Sequence, residues 1–359
     1  MKIMVMAGGT GGHVFPALAI AHELRARGHE VVWMGAPDSF EARTVVPQGF
    51  EIETIPVRGL RGKGLRSLLS APLLLWKSLR EAMAILARRR PQVVLGMGGF
   101  AAGPGGLAAR LMRIPLVVHE QNAAPGLTNR ALSLLASKVL EAFPKTFRHA
   151  TTVGNPVRAA IAELPSPAER AALRPDDGHG PVRLLILGGS QGAKALNELV
   201  PAALALLPET ARPQIRHQAG RTYDVARAAY ANAGVMARIE TFIDDMPSAY
   251  AWADLVVCRS GASTIAELCA AGVASVLVPF PYAVDDHQTA NARHLSEAGA
   301  AVLIQERELD AERLAALLRG LLGDRAKLLR MAEIARTKAW PLATREIAAE
   351  VLTAGGQSW

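Results

Sequence analysis

The apolar pattern of the first thirty-five residues reads as strand, loop, helix, strand. "KIMVMA" (2–7) is an unbroken apolar run of the length a buried strand takes. "GGTGG" follows, then His13, and Pro16 opens "PALAIAHELRARG". There Ala17, Ile20, Ala21 and Leu24 share one helical face, with Gly28 just past the end. "HEVVWMG" (29–35) is the second strand. The same grammar returns in "VRLLILGGSQGAKALNELV" (182–200), half a chain length later. Shorter apolar runs, "PQVVLG" (91–96), "IPLVVHE" (114–120), "DLVVC" (254–258) and "ASVLVPF" (274–280), alternate with helical stretches. Such alternation predicts two Rossmann-like, doubly wound α/β domains with parallel sheets, and ligands at the carboxyl ends of the strands. "VGNPVR" (153–158) and the Pro-, Asp- and Gly-rich stretch 164–181 read as the boundary, with a substrate cleft between the domains.

Composition narrows the class. Of 359 residues, half are apolar but only 5% aromatic, so the core is built from Ala, Leu, Val and Ile. Cys258 and Cys269 lie eleven apart, a spacing that fits neither a zinc nor a redox motif, and read as buried thiols. No segment reaches the roughly 18 uncharged apolar residues of a membrane-spanning helix. The N-terminal run is too short for a signal peptide core, which predicts a cytoplasmic protein. The net charge of +8 is unevenly placed: residues 58–90 carry nine basic residues against Glu81 alone. Charge this concentrated asks for a local explanation rather than a general affinity for nucleic acid.

The first glycine loop fails as a dinucleotide fingerprint. Val14 stands where a third small residue is needed, and "VVWMG" lacks the acid that binds a ribose hydroxyl. "GGSQGA" (188–193) lacks the Gly-Lys-Ser/Thr of a nucleotide triphosphate loop. What remains is a helix N-terminus that suits phosphate or diphosphate. His13, at that helix start, reads either as a general base or as a plain hydrogen-bonding residue; position alone leaves both open.

Several polar motifs fall at predicted strand ends: "GMGGFAAGPGG" (96–106), "HEQNAAPGLTNR" (119–130), "GNPVR" (154–158), "FIDDM" (242–246), "RSGASTIAEL" (259–268) and "DDHQTANA" (285–292). With "GGTGGHVFP" and "GGSQGA" they closely resemble, in order and over essentially the whole chain, the family 28 peptidoglycan N-acetylglucosaminyltransferases. The resemblance implies a GT-B fold, two Rossmann-like domains facing a deep cleft, and inverting transfer of N-acetylglucosamine from UDP-GlcNAc to undecaprenyl-linked lipid I. It implies neither cofactor nor essential metal, and indeed no Asp-x-Asp pair stands at a suitable strand end. Residues 1–157, joined by a C-terminal helix 341–359, would face acceptor and membrane; residues 158–340 would bind the donor.

By that resemblance, Ser260, Gly261 and the amides of Ala262, Ser263 and Thr264 meet the diphosphate, within a donor segment that continues through Ile265 and Ala266. Glu267 accepts from the ribose hydroxyls, and the backbone of Ile243 reads the uracil edge. Ser190 and Arg158 contact donor phosphates. Gln288 and Asn122 hold sugar hydroxyls, with His287 left open. Thr10, Gly11 and Gly12 line the path of acceptor diphosphate or donor sugar. His13 is the candidate base, with Glu120 as its rival or hydrogen-bond partner.

The basic segment then acquires a purpose. Leu73, Trp76, Leu79, Met83 and Leu86 recur at helical spacing after Pro72, widened by Leu68, Leu69, Leu74 and Leu75 and flanked by cations such as Lys77 and Arg80. This describes an interfacial element on anionic lipid at the cytoplasmic face of the inner membrane, or a core-packing helix with a basic rim, or one face of each. Other cell-wall enzymes are further candidate partners. The rival readings are a non-hydrolysing UDP-GlcNAc 2-epimerase and a basic nucleic-acid-binding protein.

Overall fold

The computed structural model describes residues 1–57, 65–174, 180–189 and 191–359, the side chains of 65–71 excepted. The described chain forms two compact units, Met1–Val157 with Leu342–Trp359, and Arg158–Pro341.

The first unit holds a parallel sheet of seven strands: β1 (Lys2–Met6), β2 (Glu30–Gly35), β3 (Glu51–Thr54), β4 (Val93–Gly96), β5 (Leu116–Glu120), β6 (Lys138–Glu141) and β7 (Thr151–Thr152). Their order is β3-β2-β1-β4-β5-β6-β7. The apolar runs are continuous because helices cover both faces of the sheet. Along β1 the side chains alternate: Ile3 and Val5 enter one core with Ala17, Ile20 and Leu24, while Met4 and Met6 enter the other with Ala82, Ile85 and Leu86. Burying each of the Ile, Leu, Val and Met side chains among them contributes about 1.5–3 kcal/mol. Trp33 is fully buried on β2 and donates its indole N–H to the Ala7 carbonyl at 2.9 Å. The last helix, Ala343–Ala354, packs Ile347, Ala348, Val351 and Leu352 into the first of these cores. Lys138 and Glu350 pair across it at 3.1 Å.

The second unit repeats the plan with β8 (Arg183–Leu187), β9 (Gln214–Gln218), β10 (Arg238–Glu240), β11 (Leu255–Cys258), β12 (Ala274–Leu277) and β13 (Ala301–Leu303), all parallel. Their order is β10-β9-β8-β11-β12-β13. In both sheets the order turns at the first strand, between β1 and β4 and between β8 and β11. A crevice for ligands forms outside the carboxyl ends there.

Two local expectations change. The first helix runs Gly11–Ala26, so it begins five residues before Pro16. Thr10 is extended (φ −141°, ψ 160°) and ends the loop, and the glycines themselves take helical positions. Pro16 therefore sits inside the helix and brings no N–H to the Gly12 carbonyl. The expected boundary segment 164–181 is also more than a linker. Ser166 and Glu169 form a reciprocal cap on a helix at Pro167–Ala172, and that helix belongs to the second unit. Residues 175–179 of that stretch lie outside the described residues.

Candidate active site

The loop after β1 and the loop after β4 meet at the sheet's turning point. Met97 donates its amide to Met6 O at 2.8 Å, and Gly8 to Gly98 O at 3.3 Å. His13, the third residue of its helix, places Nδ1 3.1 Å from the Gly8 carbonyl. A carbonyl oxygen only accepts, so Nδ1 carries the hydrogen and Nε2 keeps its lone pair. Gly98 and Gly99 let this happen. Both have positive φ (99° and 91°). A Cβ on Gly98 would stand 3.1 Å from Nε2, and one on Gly99 would stand 2.6 Å from Gly8 O. At the helix mouth the His13 and Val14 amides fold back on Thr10 O, so Gly11 and Gly12 keep amides with no helical acceptor. Thr10 and Gly12 are exposed and Gly11 half-buried.

Sequence reasoning missed Glu41. Its side chain is buried under the glycine loop and accepts from Gly9 N and Ala36 N, each at 3.1 Å. One loop amide is thereby spent on an internal carboxylate, and the loop offers an anion fewer donors than its glycine count suggests.

Glu120, expected as a rival base or a hydrogen-bond partner, is engaged here as a structural clamp. It is fully buried at the end of β5. Oε1 accepts from Asn122 N (3.0 Å) and Asn122 Nδ2 (3.2 Å); Oε2 accepts from Gly126 N (3.2 Å) and Asn129 Nδ2 (3.0 Å). Three donors from the loop that follows and one from the helix Leu127–Leu132 occupy its lone pairs. Gln121 beside it and Asn155 of the GNPVR motif are also buried: Gln121 donates to Met97 O and Asn155 to Gln121 O. Asn122 is half-buried and shares the Glu120 clamp.

In the second unit, β11 leads into the helix Ala262–Ala271, whose N-cap Gly261 is extended and carries no side-chain cap. Ile265 N reaches Gly261 O, while the amides of Ala262, Ser263 and Thr264 have no helical acceptor. Ser260 itself is turned inward: it is fully buried, with its hydroxyl donating to Gln288 O at 2.8 Å. Gln288 Oε1 accepts from Phe280 N (2.9 Å) and Ser260 N (3.3 Å), so its side-chain carbonyl ties two loops to its own helix and its amide NH₂ is the end left to meet a ligand. Along the helix Ile265 is buried, Ala266 and Glu267 half-buried. Glu267 and Arg158, 109 positions apart in sequence, form an ion pair at 3.0 Å, Nη2 to Oε1. The other carboxylate oxygen accepts from Tyr250 OH at 3.1 Å. Ile243 is buried beside the exposed Phe242. Ser190 lies outside the described residues.

The acidic pairs take ordinary structural roles. Asp245 caps the helix Met246–Trp252 by accepting from Ser248 N at 3.0 Å, and Asp286 accepts from the Thr289 hydroxyl at 2.7 Å. His287 faces Val284 O through Nδ1 at 2.6 Å. Among the described residues no three of His, Cys, Asp or Glu stand together as metal ligands would. Cys258 and Cys269 are buried, and burial pushes both thiols up to about 12.

Residues 58–64 of the basic segment lie outside the described residues; the rest forms a helix, Leu65–Arg89, with Pro72 inside it. Its two faces separate. Ala82, Ile85 and Leu86 belong to the core, with Leu79 and Met83 packed against it. Leu79 therefore leaves the expected surface patch. Leu73 (71% exposed), Leu75 (48%) and Trp76 (56%) remain outside, with Arg80 stacked 4.8 Å from the Trp76 ring centre. Lys77 and Arg80 are exposed; the side chains of Leu68 and Leu69 lie outside the described residues.

Residues 3–141 match the glycosyltransferase family 28 N-terminal domain, and residues 183–347 match the family's C-terminal domain. The chain belongs to glycosyltransferase family 28. Among similar family 28 proteins is the UDP-N-acetylglucosamine–N-acetylmuramyl-(pentapeptide) pyrophosphoryl-undecaprenol N-acetylglucosamine transferase of Xanthomonas euvesicatoria pv. vesicatoria (strain 85-10). It is 56% identical over 357 residues, 99% of this chain and 81% of the relative. The protein of the same name from Alkalilimnicola ehrlichii (strain ATCC BAA-1101 / DSM 17681 / MLHE-1) is 55% identical over 97% of each chain. In structure, the Acinetobacter baumannii MurG crystal structure superposes with a TM-score of 0.88 at 41% identity, covering 98% of this chain and 99% of that one. The calicheamicin glycosyltransferase CalG4, 19% identical, shares the GT-B fold with a TM-score of 0.69 over 99% and 98% of the two chains. This family 28 chain is thus a glycosyltransferase built of two Rossmann-like units.

Proposed function

We propose that this family 28 enzyme transfers N-acetylglucosamine from UDP-GlcNAc to the 4-hydroxyl of the muramoyl-peptide on undecaprenyl-diphosphate-linked lipid I, giving lipid II with inversion at the anomeric carbon. The observation that carries the reading is the 56% identity, over 99% of the chain, to a transferase named for these two substrates. The first unit receives the acceptor and the second the donor.

His13 Nε2 takes the proton of the acceptor hydroxyl as its oxygen bonds to the anomeric carbon. The electron pair of the breaking carbon–oxygen bond leaves with the β-phosphate of UDP. The Ala262, Ser263 and Thr264 amides at the helix N-terminus, together with Ser190, stabilise that developing charge. Arg158, half-exposed and on a flexible side chain, shares itself between Glu267 and the leaving diphosphate. Glu267 meets the ribose hydroxyls, the Ile243 backbone the uracil, and Gln288 and Asn122 the sugar. Thr10, Gly11 and Gly12 give passage beside His13.

The acceptor's lipid holds it in a membrane, and the exposed Leu73, Leu75 and Trp76 beside Lys77 and Arg80 suit docking on the anionic cytoplasmic face. No helix among the described residues is long and apolar enough to cross a membrane. The test is to incubate the protein with labelled UDP-GlcNAc and a lipid I analogue. Label should move to the lipid; folded protein that leaves all label on the nucleotide sugar or its hydrolysis products would overturn the reading.

A further inference from the structure

Tyr250 is a side chain at the donor motif that neither the motif pattern nor the resemblance singles out. It lies on the helix Met246–Trp252, between the uracil-reading segment and β11, and is fully buried. Its hydroxyl finds a partner in Glu267 Oε2 at 3.1 Å. Burial, reinforced by the adjacent Glu267 charge, pushes the phenol well above its ordinary range, so it stays protonated and can only donate to the carboxylate. The two oxygens of Glu267 are thus unequal. Oε2 is held from beneath by a rigid ring with no freedom to leave. Oε1 is reached from the side by Arg158, whose side chain is 51% exposed.

We propose that Tyr250 is a positioning residue for donor recognition: its buried hydroxyl locks the Glu267 carboxylate by one oxygen so that the other is aimed at the ribose. This rests on the reading that Glu267 meets the ribose hydroxyls. The physical reason is preorganisation. A glutamate has three side-chain torsions, and freezing them before the nucleotide arrives removes an ordering cost from binding. Recognition of two vicinal hydroxyls depends on carboxylate orientation, so the consequence is selectivity for ribose over deoxyribose in the nucleotide sugar. The chemical step gains nothing directly from Tyr250.

The experiment compares wild type with Tyr250→Phe, which removes only the hydroxyl, using UDP-GlcNAc and its 2′-deoxyribose and 3′-deoxyribose analogues with one lipid I analogue. The unfolding midpoint confirms that the variant is folded. In Y250F, KM for UDP-GlcNAc rises about five- to ten-fold with kcat within about two-fold, the size expected for losing one ordinary hydrogen bond. The deoxyribose penalty, large in wild type, shrinks to under about two-fold in Y250F. In a Glu267→Gln background, adding Y250F changes KM by less than about two-fold, because the two act as one unit. Wild type that is indifferent to the deoxyribose analogues overturns the role of Glu267. Wild type that discriminates while Y250F discriminates equally, or losses that simply add, overturns the role of Tyr250.

Discussion

His13 Nδ1 lies 3.1 Å from the carbonyl oxygen of Gly8, and that contact decides which ring nitrogen can take a proton. In the neutral ring the carbonyl fixes the hydrogen on Nδ1 and leaves the lone pair on Nε2, beside the Gly98 backbone. His13→Ala should therefore lower kcat by about 10²–10⁴-fold, the usual range for a lost general base, while KM for UDP-GlcNAc stays within a few-fold. Steady-state kinetics at saturating acceptor read this directly. Wild-type turnover in the variant would remove His13 from the mechanism.

Glu120 should behave in the opposite way. Glu120→Gln replaces an acceptor oxygen by an NH₂ group facing backbone and Asn129 donors. The loss is one of stability, about 2 kcal/mol, because buried donors are left unpaired. It appears as a lower urea midpoint, whereas His13→Ala leaves the midpoint unchanged. A fully stable E120Q protein without turnover would restore Glu120 as a reacting group.

On the helix Leu65–Arg89, Leu73→Glu and Trp76→Glu change exposed positions and should alter stability by no more than about 0.5 kcal/mol. Co-sedimentation with vesicles containing anionic lipid should nevertheless fall several-fold, and turnover with a water-soluble acceptor analogue should be retained. Undiminished vesicle binding would show that this face does not dock on lipid.

Acid should destabilise both units for a definable reason. Burial holds His217 down at about 3 and His119 at about 4. His119 donates Nε2–H to Gly154 O at 2.9 Å, and His217 sits between Asn197 Oδ1 and the Tyr230 hydroxyl. Both stay neutral when folded, whereas in the unfolded chain imidazole titrates near 6.5. Below that pH the unfolded state binds more protons, so stability falls with pH until the folded values near 3 and 4 are reached. At pH 5 each ring contributes about 2 kcal/mol less than at pH 7.5. Urea unfolding at the two pH values measures the loss. NMR should show both imidazoles still neutral at pH 5; a titration near 6.5 would contradict it.

Period and punctuation made the architecture readable. The runs "KIMVMA" and "VRLLILGG" are apolar on both sides because their sheets are covered on both faces, and every such run quoted became a strand. Pro16 misled because proline usually starts a helix, yet here two glycines and an extended Thr10 supply the start and the proline is tolerated a turn later. The polar motifs named the right loops but could not assign jobs within them. "HEQN" looks catalytic, yet Glu120 holds four donors from the loop and the helix that follow it. Glu41 and Tyr250 were invisible because their meaning is contact: one acid beneath a loop 32 positions earlier, and one phenol 17 positions from its carboxylate. Arg158 and Glu267 were each singled out, but their pairing across 109 positions is a property of the folded unit alone.

The helix Ala343–Ala354 completes a core whose other members all precede residue 154, with the whole second unit intervening. On the ribosome this has a consequence. The first sheet emerges early, with the helix Gly11–Ala26 over part of this face, but the rest stays uncovered until residues 343–354 have been made, while Arg158–Pro341 can fold as soon as its own residues are out. A nascent chain stalled before residue 343 would therefore expose the part of that face formed by Leu95, Val117 and Leu140, inviting chaperones or aggregation. The C-terminal residues set when the first unit is finished, and the order of synthesis is the reverse of the order in which the two units close.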